Sequence, residues 1–259
     1  MKDSSVSTSL RPATGVPFAG SPLPTVKTIR DFYAFEQHVK TCRAQRGLEM
    51  VPQWYEIPVF YFSNPNSVIG NGDPVVYPDN TSQLDFELEL AVVIGKECIN
   101  LPADDSAMDV VAGFTIYNDW SARDLQRQEM AVGLGPSKGK DFANALGPSI
   151  VPLQLLKDHY KNGRLHVAMT ASINGRVVSQ GNGGTMYWTW PQLLAHASRN
   201  CKLVPGDVIG SGTVGGGCIL ELTPEVVGGW IQVGDLVRLE VEGLGALENK
   251  VVRNAGSAN

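Results

Sequence analysis

The stretch "LDFELELAVVIG", residues 84–95, constrains the fold of this chain most strongly. Apolar and acidic residues alternate in its first half, which predicts a β-strand, because successive side chains of a strand point to opposite faces. Asp85, Glu87 and Glu89 would share one face of that strand. The second half contains no polar residue before its final glycine, and it predicts a strand that is buried on both faces.

The three carboxylates on one strand face allow two interpretations. An acidic alternating strand is most often a solvated sheet face, and this is the simpler hypothesis. Carboxylates beside a buried run are costly, however, unless something positive lies among them. Hard divalent cations such as Mg²⁺, Mn²⁺ and Ca²⁺ prefer carboxylate oxygen. A solvated face and a metal site therefore both remain open at this point.

A second concentration of charge lies in "TIYNDWSARDLQRQEM", residues 115–130, directly after an apolar run. Asp119 ends that run and is a candidate for a further metal ligand. An N-cap role explains Asp119 equally well, because residues 121–128 can form a helix and aspartate is a preferred capping residue. Asp124 is either a salt-bridge partner or an acidic residue in the first turn of that helix.

The remaining patterns predict a mixed, β-rich α+β fold. The spacing of apolar residues predicts a helix within residues 26–47, and β patterns dominate from residue 57 onward. Asn174-Gly175 lies between two apolar segments and predicts a tight hairpin. A further helix is predicted near residues 190–200, whereas "CILEL" at residues 218–222 predicts a strand.

Composition excludes several classes of partner. The chain is 43% hydrophobic and 18% charged with a net charge of −5, and it has no basic stripe, so we expect neither nucleic acid nor an anionic membrane as partner. No apolar run approaches the roughly 20 residues of a membrane span. Residues 1–24 are rich in Ser, Thr and Pro and lack the apolar region of a secretory signal, so they predict an extended arm before a domain at residues 25–259.

The cysteines, histidines and glycines suggest no further cofactor. Cys42, Cys98, Cys201 and Cys218 lie far apart without a CxxC motif, which predicts reduced, buried thiols in a cytoplasmic protein. The four histidines lack HxxxH and HxH spacing, which argues against zinc. "GSGTVG" at residues 210–215 satisfies GxGxxG, but a dinucleotide site needs a helix to open there, and a strand is predicted instead.

Several ordered stretches together resemble the catalytic domain of the fumarylacetoacetase family. They are "DFYAFEQH", "LDFELELAVVIG", "NDWSARDLQ", "LGPSKGKDF", "MYWTWPQLLAHAS" and "LVPGDVIGSGTVGG". The resemblance covers roughly residues 25–253 and is closer to fumarylacetoacetase itself than to the short acylpyruvases. It implies the β-roll-like catalytic domain of that family and usually a homodimer.

The resemblance also implies a set of site residues. It matches the ligands of a divalent metal, with Mg²⁺ expected and Ca²⁺ or Mn²⁺ as alternatives, to Asp31, Glu87, Glu89 and Asp119. It matches the catalytic groups to His38, Glu221 and Lys140, and the substrate contacts to Tyr33, Tyr61, Arg123, Gln126 and Thr213. Asp85 fits the family pattern, but its role stays open. We also expect Asp31 and His38, seven residues apart, to share one helix face.

The activity implied by the resemblance is hydrolysis of a carbon–carbon bond in a β-diketo acid, an acylpyruvate or a fumarylacetoacetate-like compound, within aromatic catabolism. His38, backed by Glu221, would activate water, and Arg123 would pair with a substrate carboxylate or with Asp124. The alternative is a lyase that decarboxylates or hydrates a β-keto acid such as oxaloacetate. Met130 replaces a substrate-contacting tyrosine of the family, so we expect an altered specificity pocket.

Overall fold

The computed structural model of the chain describes residues 25–253, so the predicted arm at residues 1–24 lies outside the described residues. The strands are β1 (Ile29–Phe32), β2 (Phe60–Ser63), β3 (Val68–Ile69), β4 (Val75–Val76), β5 (Leu84–Asp85), β6 (Leu88–Ile94), β7 (Val111–Asp119), β8 (Ser121–Ala122), β9 (Asn144–Val151), β10 (Tyr160–Lys161), β11 (Arg164–Leu165), β12 (Ala168–Ile173), β13 (Arg176–Asn182), β14 (Val208–Gly210), β15 (Leu236–Val241) and β16 (Gly245–Val252). The α-helices are α1 (Glu36–Ala44), α2 (Arg123–Val132), α3 (Trp190–Ser198), α4 (Ile219–Leu222) and α5 (Pro224–Val227). Short 3₁₀ helices span Pro52–Tyr55, Pro65–Ser67, Asp105–Val110, Leu153–Leu155 and Gly183–Thr185.

The larger sheet has seven strands in the order β2-β1-β14-β6-β7-β9-β3. Strand β1 runs parallel to β14, and β3 runs parallel to β9, whereas the other neighbours are antiparallel. Strand β6 is buried at every residue, as its apolar sequence predicts. This sheet provides the frame on which the candidate site is built.

The second sheet has five strands in the order β13-β12-β15-β16-β4. Strands β12 and β13 form the predicted hairpin, and its turn residues Asn174 and Gly175 have φ angles of 52° and 82°. Positive φ at both central positions is the geometry that favours an Asn-Gly pair. Buried apolar residues of both large sheets belong to one core cluster, so the predicted mixed, β-rich fold is confirmed.

The predicted helix near residues 190–200 is also confirmed, as α3. Thr189 caps it through a reciprocal capping box with Gln192, and a proline follows in its first turn. None of the helices in residues 25–253 combines the length and the apolarity that crossing a bilayer would require.

The helix predicted within residues 26–47 is wrong in its first half. Residues Ile29–Phe32 form β1, all four buried, and helix α1 begins only at Glu36. Of the periodic apolar residues, Ile29 and Phe32 belong to a buried strand that pairs with β2 and β14, and periodicity within one segment cannot distinguish such a strand from a helix. Asp31 and His38 therefore do not share a helix face.

The strand predicted at residues 218–222 is wrong as well, because this segment forms the short helix α4. Asp85 accepts hydrogen bonds from the backbone N–H groups of Ile219 and Leu220 at 2.8 and 3.0 Å and so caps the helix from another part of the chain. The cysteine prediction holds only in part: Cys42 and Cys218 are buried, but Cys98 is half-buried and Cys201 is exposed.

Candidate active site

Strand register places three carboxylates on one face of the larger sheet. Asp31 on β1 pairs with Gly210 on β14. Gly210 pairs in turn with a residue of β6 that lies two positions after Glu89. Glu89 pairs with Tyr117 on β7, and Asp119 follows two positions later. Direct cross-strand partners share a face, and so do residues two apart along a strand. Asp31, Glu89 and Asp119 therefore converge.

Glu87 joins these residues from the gap between β5 and β6. Its backbone N–H donates to the side-chain oxygen of Asn118 at 2.9 Å. Oxygen atoms of Asp31, Glu87, Glu89 and Asp119 lie within 4.8 Å of one another, and all four residues are buried. Glu87 is 4% exposed and Glu89 is fully buried, so the solvated-face interpretation of this strand is wrong.

Lys140 provides positive charge inside this cluster. Its Nζ donates to Glu87 at 2.5 Å and to Asp119 at 2.6 Å, and its side chain is nearly buried. Burial disfavours the ammonium ion, but Asp119 and Glu87 outweigh this effect and raise the pKa of Lys140. Glu129 holds the loop before Lys140 by accepting the backbone N–H groups of residues 137–139.

Arg123 provides the second positive charge. Its guanidinium donates to Glu87 at 2.8 Å, to Asp85 at 2.9 Å and to Gln126 at 3.0 Å. Burial raises the pKa of Glu87, but Lys140 and Arg123 more than compensate and hold it below its usual range. Arg123 does not pair with Asp124, which was the alternative. Asp124 lies in the first turn of α2 and accepts a hydrogen bond from the backbone N–H of residue 82.

The positive groups of Lys140 and Arg123 do not satisfy every carboxylate oxygen of the cluster. Among residues 25–253, Glu89 Oε2 and Asp119 Oδ1 are buried oxygens without a hydrogen-bond partner. Burial and carboxylate repulsion raise the pKa of Asp31 and of Glu89 well above their usual values, and burial raises the pKa of Asp119. Converging, dry carboxylate oxygens with unused lone pairs are what a hard divalent cation requires, so these residues fit such an ion.

A histidine–glutamate pair lies beside the carboxylates. His38 Nδ1 on α1 is 2.5 Å from Glu221 Oε1 on α4, and both side chains are nearly buried. The other oxygen of Glu221 accepts the backbone N–H of Gly216 at 3.0 Å, which fixes the carboxylate. Burial opposes protonation of the imidazole, but hydrogen bonds with Cys218 and Glu221 raise the pKa of His38 to about 10.

The predicted substrate contacts surround the same place. The Tyr61 hydroxyl donates to Asp119, and the Thr213 hydroxyl donates to Glu89 at 3.2 Å. The Tyr33 ring meets His38 edge-on with 5.3 Å between ring centroids. A cavity of about 170 Å³ opens beside Tyr61 and Lys140. The structure thus brings all the residues named from the resemblance together, and their roles toward a substrate stay predictions.

The roles of two residues in this region could not be inferred from the sequence. Asp85 joins Arg123 to the helix that carries Glu221, a role that depends on long-range contacts. Gly210 belongs to the GxGxxG stretch, and it leaves room for Asp31: a Cβ atom at this position would lie 2.3 Å from Asp31 Oδ1. The repeated glycines were visible in the sequence, and Gly210 among them admits a carboxylate.

The sequence of the chain is similar to that of proteins in one known family. Residues 27–252 match the family described as fumarylacetoacetate hydrolase, C-terminal. The chain is 33% identical to fumarylacetoacetase of Arabidopsis thaliana, over 74% of this chain and 57% of that protein. It is 34% identical to the mitochondrial oxaloacetate tautomerase fahd2 of Xenopus laevis, over 75% of this chain and 58% of that protein. It thus spans less than two thirds of the length of either relative.

A solved structure supports the same assignment. The structure of 5-carboxymethyl-2-hydroxymuconate delta-isomerase from Mycobacterium smegmatis aligns with a TM-score of 0.70 and 30% identity, over 91% of this chain and 80% of that one. The expected fold type is thereby confirmed. From the match over residues 27–252 and these relatives, we conclude that the chain belongs to the fumarylacetoacetate hydrolase family.

Proposed function

We propose that this protein is a metal-dependent hydrolase that cleaves a carbon–carbon bond in a β-diketo acid, either an acylpyruvate or a fumarylacetoacetate-like compound. The observation that supports this most directly is the His38–Glu221 pair, 2.5 Å apart, beside the cluster of four buried carboxylates. The positive charge of His38 is also among the causes that hold the pKa of Glu87 below its usual range, after the larger effects of Lys140 and Arg123. A base and a cation-binding group in one buried site suit the addition of water to a carbonyl.

The proposed metal ligands are Asp31, Glu87, Glu89 and Asp119. An all-oxygen set favours Mg²⁺, with Mn²⁺ and Ca²⁺ as alternatives. A bound divalent cation would supply Lewis-acid polarisation of the substrate carbonyl oxygens. The unpartnered Glu89 Oε2 and Asp119 Oδ1 atoms support this assignment, because they would otherwise remain buried and unsatisfied.

His38 would take a proton from water at Nε2, since Nδ1 faces Glu221. The hydroxide adds to one carbonyl carbon, and the tetrahedral intermediate breaks the bond to the neighbouring carbon, whose electron pair forms an enolate. His38 then returns the proton to that carbon, so that one water yields an acid and a ketone. A base must be neutral, so the pKa of His38, about 10 here, has to fall as positive charge enters the carboxylate cluster.

Lys140 would stabilise negative charge as it develops on the substrate. Its ammonium group is buried and held between Glu87 and Asp119, so it requires little reorganisation during the reaction. Tyr61 and Thr213 are the proposed hydroxyl contacts of the substrate. Arg123 and Gln126 bond to each other, so the proposed substrate role of Arg123 competes with its contacts to Asp85 and Glu87.

A second candidate function is a proton transfer or a lyase reaction on a β-keto acid such as oxaloacetate. The similarity to an oxaloacetate tautomerase and to a delta-isomerase favours it. The same His38–Glu221 pair could move a proton between carbon and oxygen without an attacking water. Decarboxylation or hydration of a β-keto acid is the lyase version of this alternative.

The test is an activity panel with purified protein and Mg²⁺, using acylpyruvates, fumarylacetoacetate and oxaloacetate. We expect loss of the diketo-enol absorbance, formation of two carbon fragments, and loss of both in a His38→Ala variant. Interconversion of the keto and enol forms of oxaloacetate without fragmentation would establish the tautomerase instead. Release of carbon dioxide by an active His38→Ala variant would establish a decarboxylase.

The oligomeric state, the cellular location, the pathway and the subfamily are proposed from the sequence resemblance alone. We infer a homodimer in the cytoplasm that acts in aromatic catabolism and stands closer to fumarylacetoacetase than to the short acylpyruvases. Sedimentation at several protein concentrations tests the dimer. The length of acyl group that the enzyme prefers in the activity panel tests whether the protein is closer to fumarylacetoacetase or to the short acylpyruvases.

A further inference from the structure

A second cluster of metal-ligating side chains lies beside the carboxylates. His38 and Cys42 are one helical turn apart on α1, and Cys218 immediately precedes α4. One ligand atom of each residue lies within 4.8 Å of the other two, and all three residues are buried. Cys42 Sγ is 3.8 Å from His38 Nδ1 and 3.9 Å from His38 Nε2. Two thiols and an imidazole thus converge in the interior.

Glu221 supplies a fourth donor to the same place. Its Oε1 is 2.5 Å from His38 Nδ1 and 3.7 Å from Cys218 Sγ. Zinc binds sulfur at about 2.3 Å and imidazole nitrogen at about 2.0–2.1 Å, and tetrahedral geometry then sets the distances between donors at about 3.5–3.8 Å. The separations that involve sulfur, 3.7 and 3.8 Å, already match this size, whereas the 2.5 Å between His38 Nδ1 and Glu221 Oε1 has to open to about 3.3 Å when both bind one ion.

We propose that His38, Cys42, Cys218 and Glu221 form a second metal site, selective for soft cations such as Zn²⁺ and Cd²⁺. Its donor set differs from that of the carboxylate cluster, which offers oxygen alone. Thiolates select zinc and similar soft ions, whereas carboxylates suit magnesium and calcium. The two sites therefore take different ions from a mixture, although they are neighbours.

Occupation of this site has a consequence for activity. A metal ion shared with Glu221 would bind His38 at Nδ1 and leave the ring proton on Nε2, so Nε2 would have no lone pair with which to accept a proton from water. Zinc should then inhibit the enzyme even when Mg²⁺ is present in large excess. This consequence rests on the proposed function, because it requires His38 to be the base, whereas soft-metal binding itself does not.

The first experiment titrates Cd²⁺ into the full chain in excess Mg²⁺ and follows the ultraviolet thiolate-to-metal charge-transfer band. We expect the band to saturate at about one equivalent. Cys42→Ser and Cys218→Ser should each weaken binding by at least about tenfold, since each removes a ligand. Cys201→Ser is the matched control, because Cys201 is an exposed free cysteine, and it should titrate like the unaltered protein.

X-ray absorption spectroscopy of the unaltered protein with one equivalent of Zn²⁺ gives a result that does not depend on whether the variants fold. The proposal requires two sulfur neighbours at about 2.3 Å from the zinc. A shell of oxygen and nitrogen alone, or a charge-transfer band that survives in both variants, overturns it. If Zn²⁺ binds with two sulfurs but leaves the activity intact, the metal site stands and the role of His38 as base fails.

Discussion

Gly210 faces the carboxylate of Asp31 across the β1–β14 pair so closely that no side chain fits between them. A Cβ atom on Gly210 would lie 2.3 Å from Asp31 Oδ1 and 3.1 Å from the Tyr117 ring. Gly212, two residues on, donates its N–H to the same oxygen at 3.2 Å. The position of one candidate metal ligand is therefore set by two glycines of a neighbouring segment.

The first prediction concerns this contact. Gly210→Ala should displace Asp31 and weaken binding of Mg²⁺ or Mn²⁺ by about tenfold or more, because the ligand moves out of place. Isothermal titration calorimetry measures the change. Gly95→Ala is the control, because its Cβ would crowd only Ala112, at 3.0 Å, and it should alter stability without altering metal affinity. Unchanged affinity in Gly210→Ala would mean that Asp31 is not a ligand.

The second prediction separates metal binding from stability. In EDTA near neutral pH, Glu89→Gln should raise the free energy of unfolding by about 1 kcal/mol, because folding either buries the Glu89 charge beside Asp31, Glu87 and Asp119 or has to protonate it, and glutamine avoids both costs. In Mg²⁺ the same variant should lose the stabilisation that the unaltered protein gains from the ion. Urea denaturation in both buffers measures this reversal. Glu225→Gln, at an exposed position on α5, should change neither value.

The third prediction uses the His38–Glu221 pair. The pKa of His38 rises from 6.5 in the unfolded chain to about 10 in the folded protein, so the charged pair stabilises the fold fully below pH 6.5. This contribution is lost as the pH increases toward 10. In EDTA, Glu221→Gln should therefore cost about 1.5–3 kcal/mol at pH 6 and much less near pH 10. A stability difference that stays constant with pH would contradict a charged pair.

The fourth prediction tests Lys140. Lys140→Met should lower kcat by about 10²–10³-fold, because it removes a preorganised positive charge. The same variant should bind Mg²⁺ more tightly, since Lys140 no longer competes for Glu87 and Asp119. Single-turnover rates and metal titrations measure the two effects. Lys138→Met removes an exposed lysine that pairs with Asp141, and it should leave both unchanged. Weaker metal binding in Lys140→Met would contradict the competition.

Local patterns in the sequence predicted those parts of the fold that local interactions determine. The Asn174-Gly175 hairpin and helix α3, with its Thr189 capping box, follow from residues only a few positions apart. The alternation around Glu87 and Glu89 likewise predicted a common face, although their burial depends on neighbouring strands.

The failures share a physical cause, which is stabilisation by residues far away in the chain. Strand β1 exists because β14 pairs with it, and no pattern within residues 26–47 contains that information. Helix α4 is capped by Asp85, which lies 134 positions before Ile219. The convergence of Cys42 and Cys218 depends on the packing of α1 against α4, so spacing rules for zinc motifs could not reveal it.

The sharing of Glu87 between Lys140 and Arg123 also bears on how the proposed metal site would acquire an ion. These two cations neutralise part of the cluster and keep its geometry assembled before any ion arrives. If the cluster binds a divalent cation as proposed, the ion would enter a preformed receptor, and loading it would require no refolding of the chain. We expect such a receptor to exchange its ion with the surroundings, so the degree of loading would follow the local supply of divalent cations.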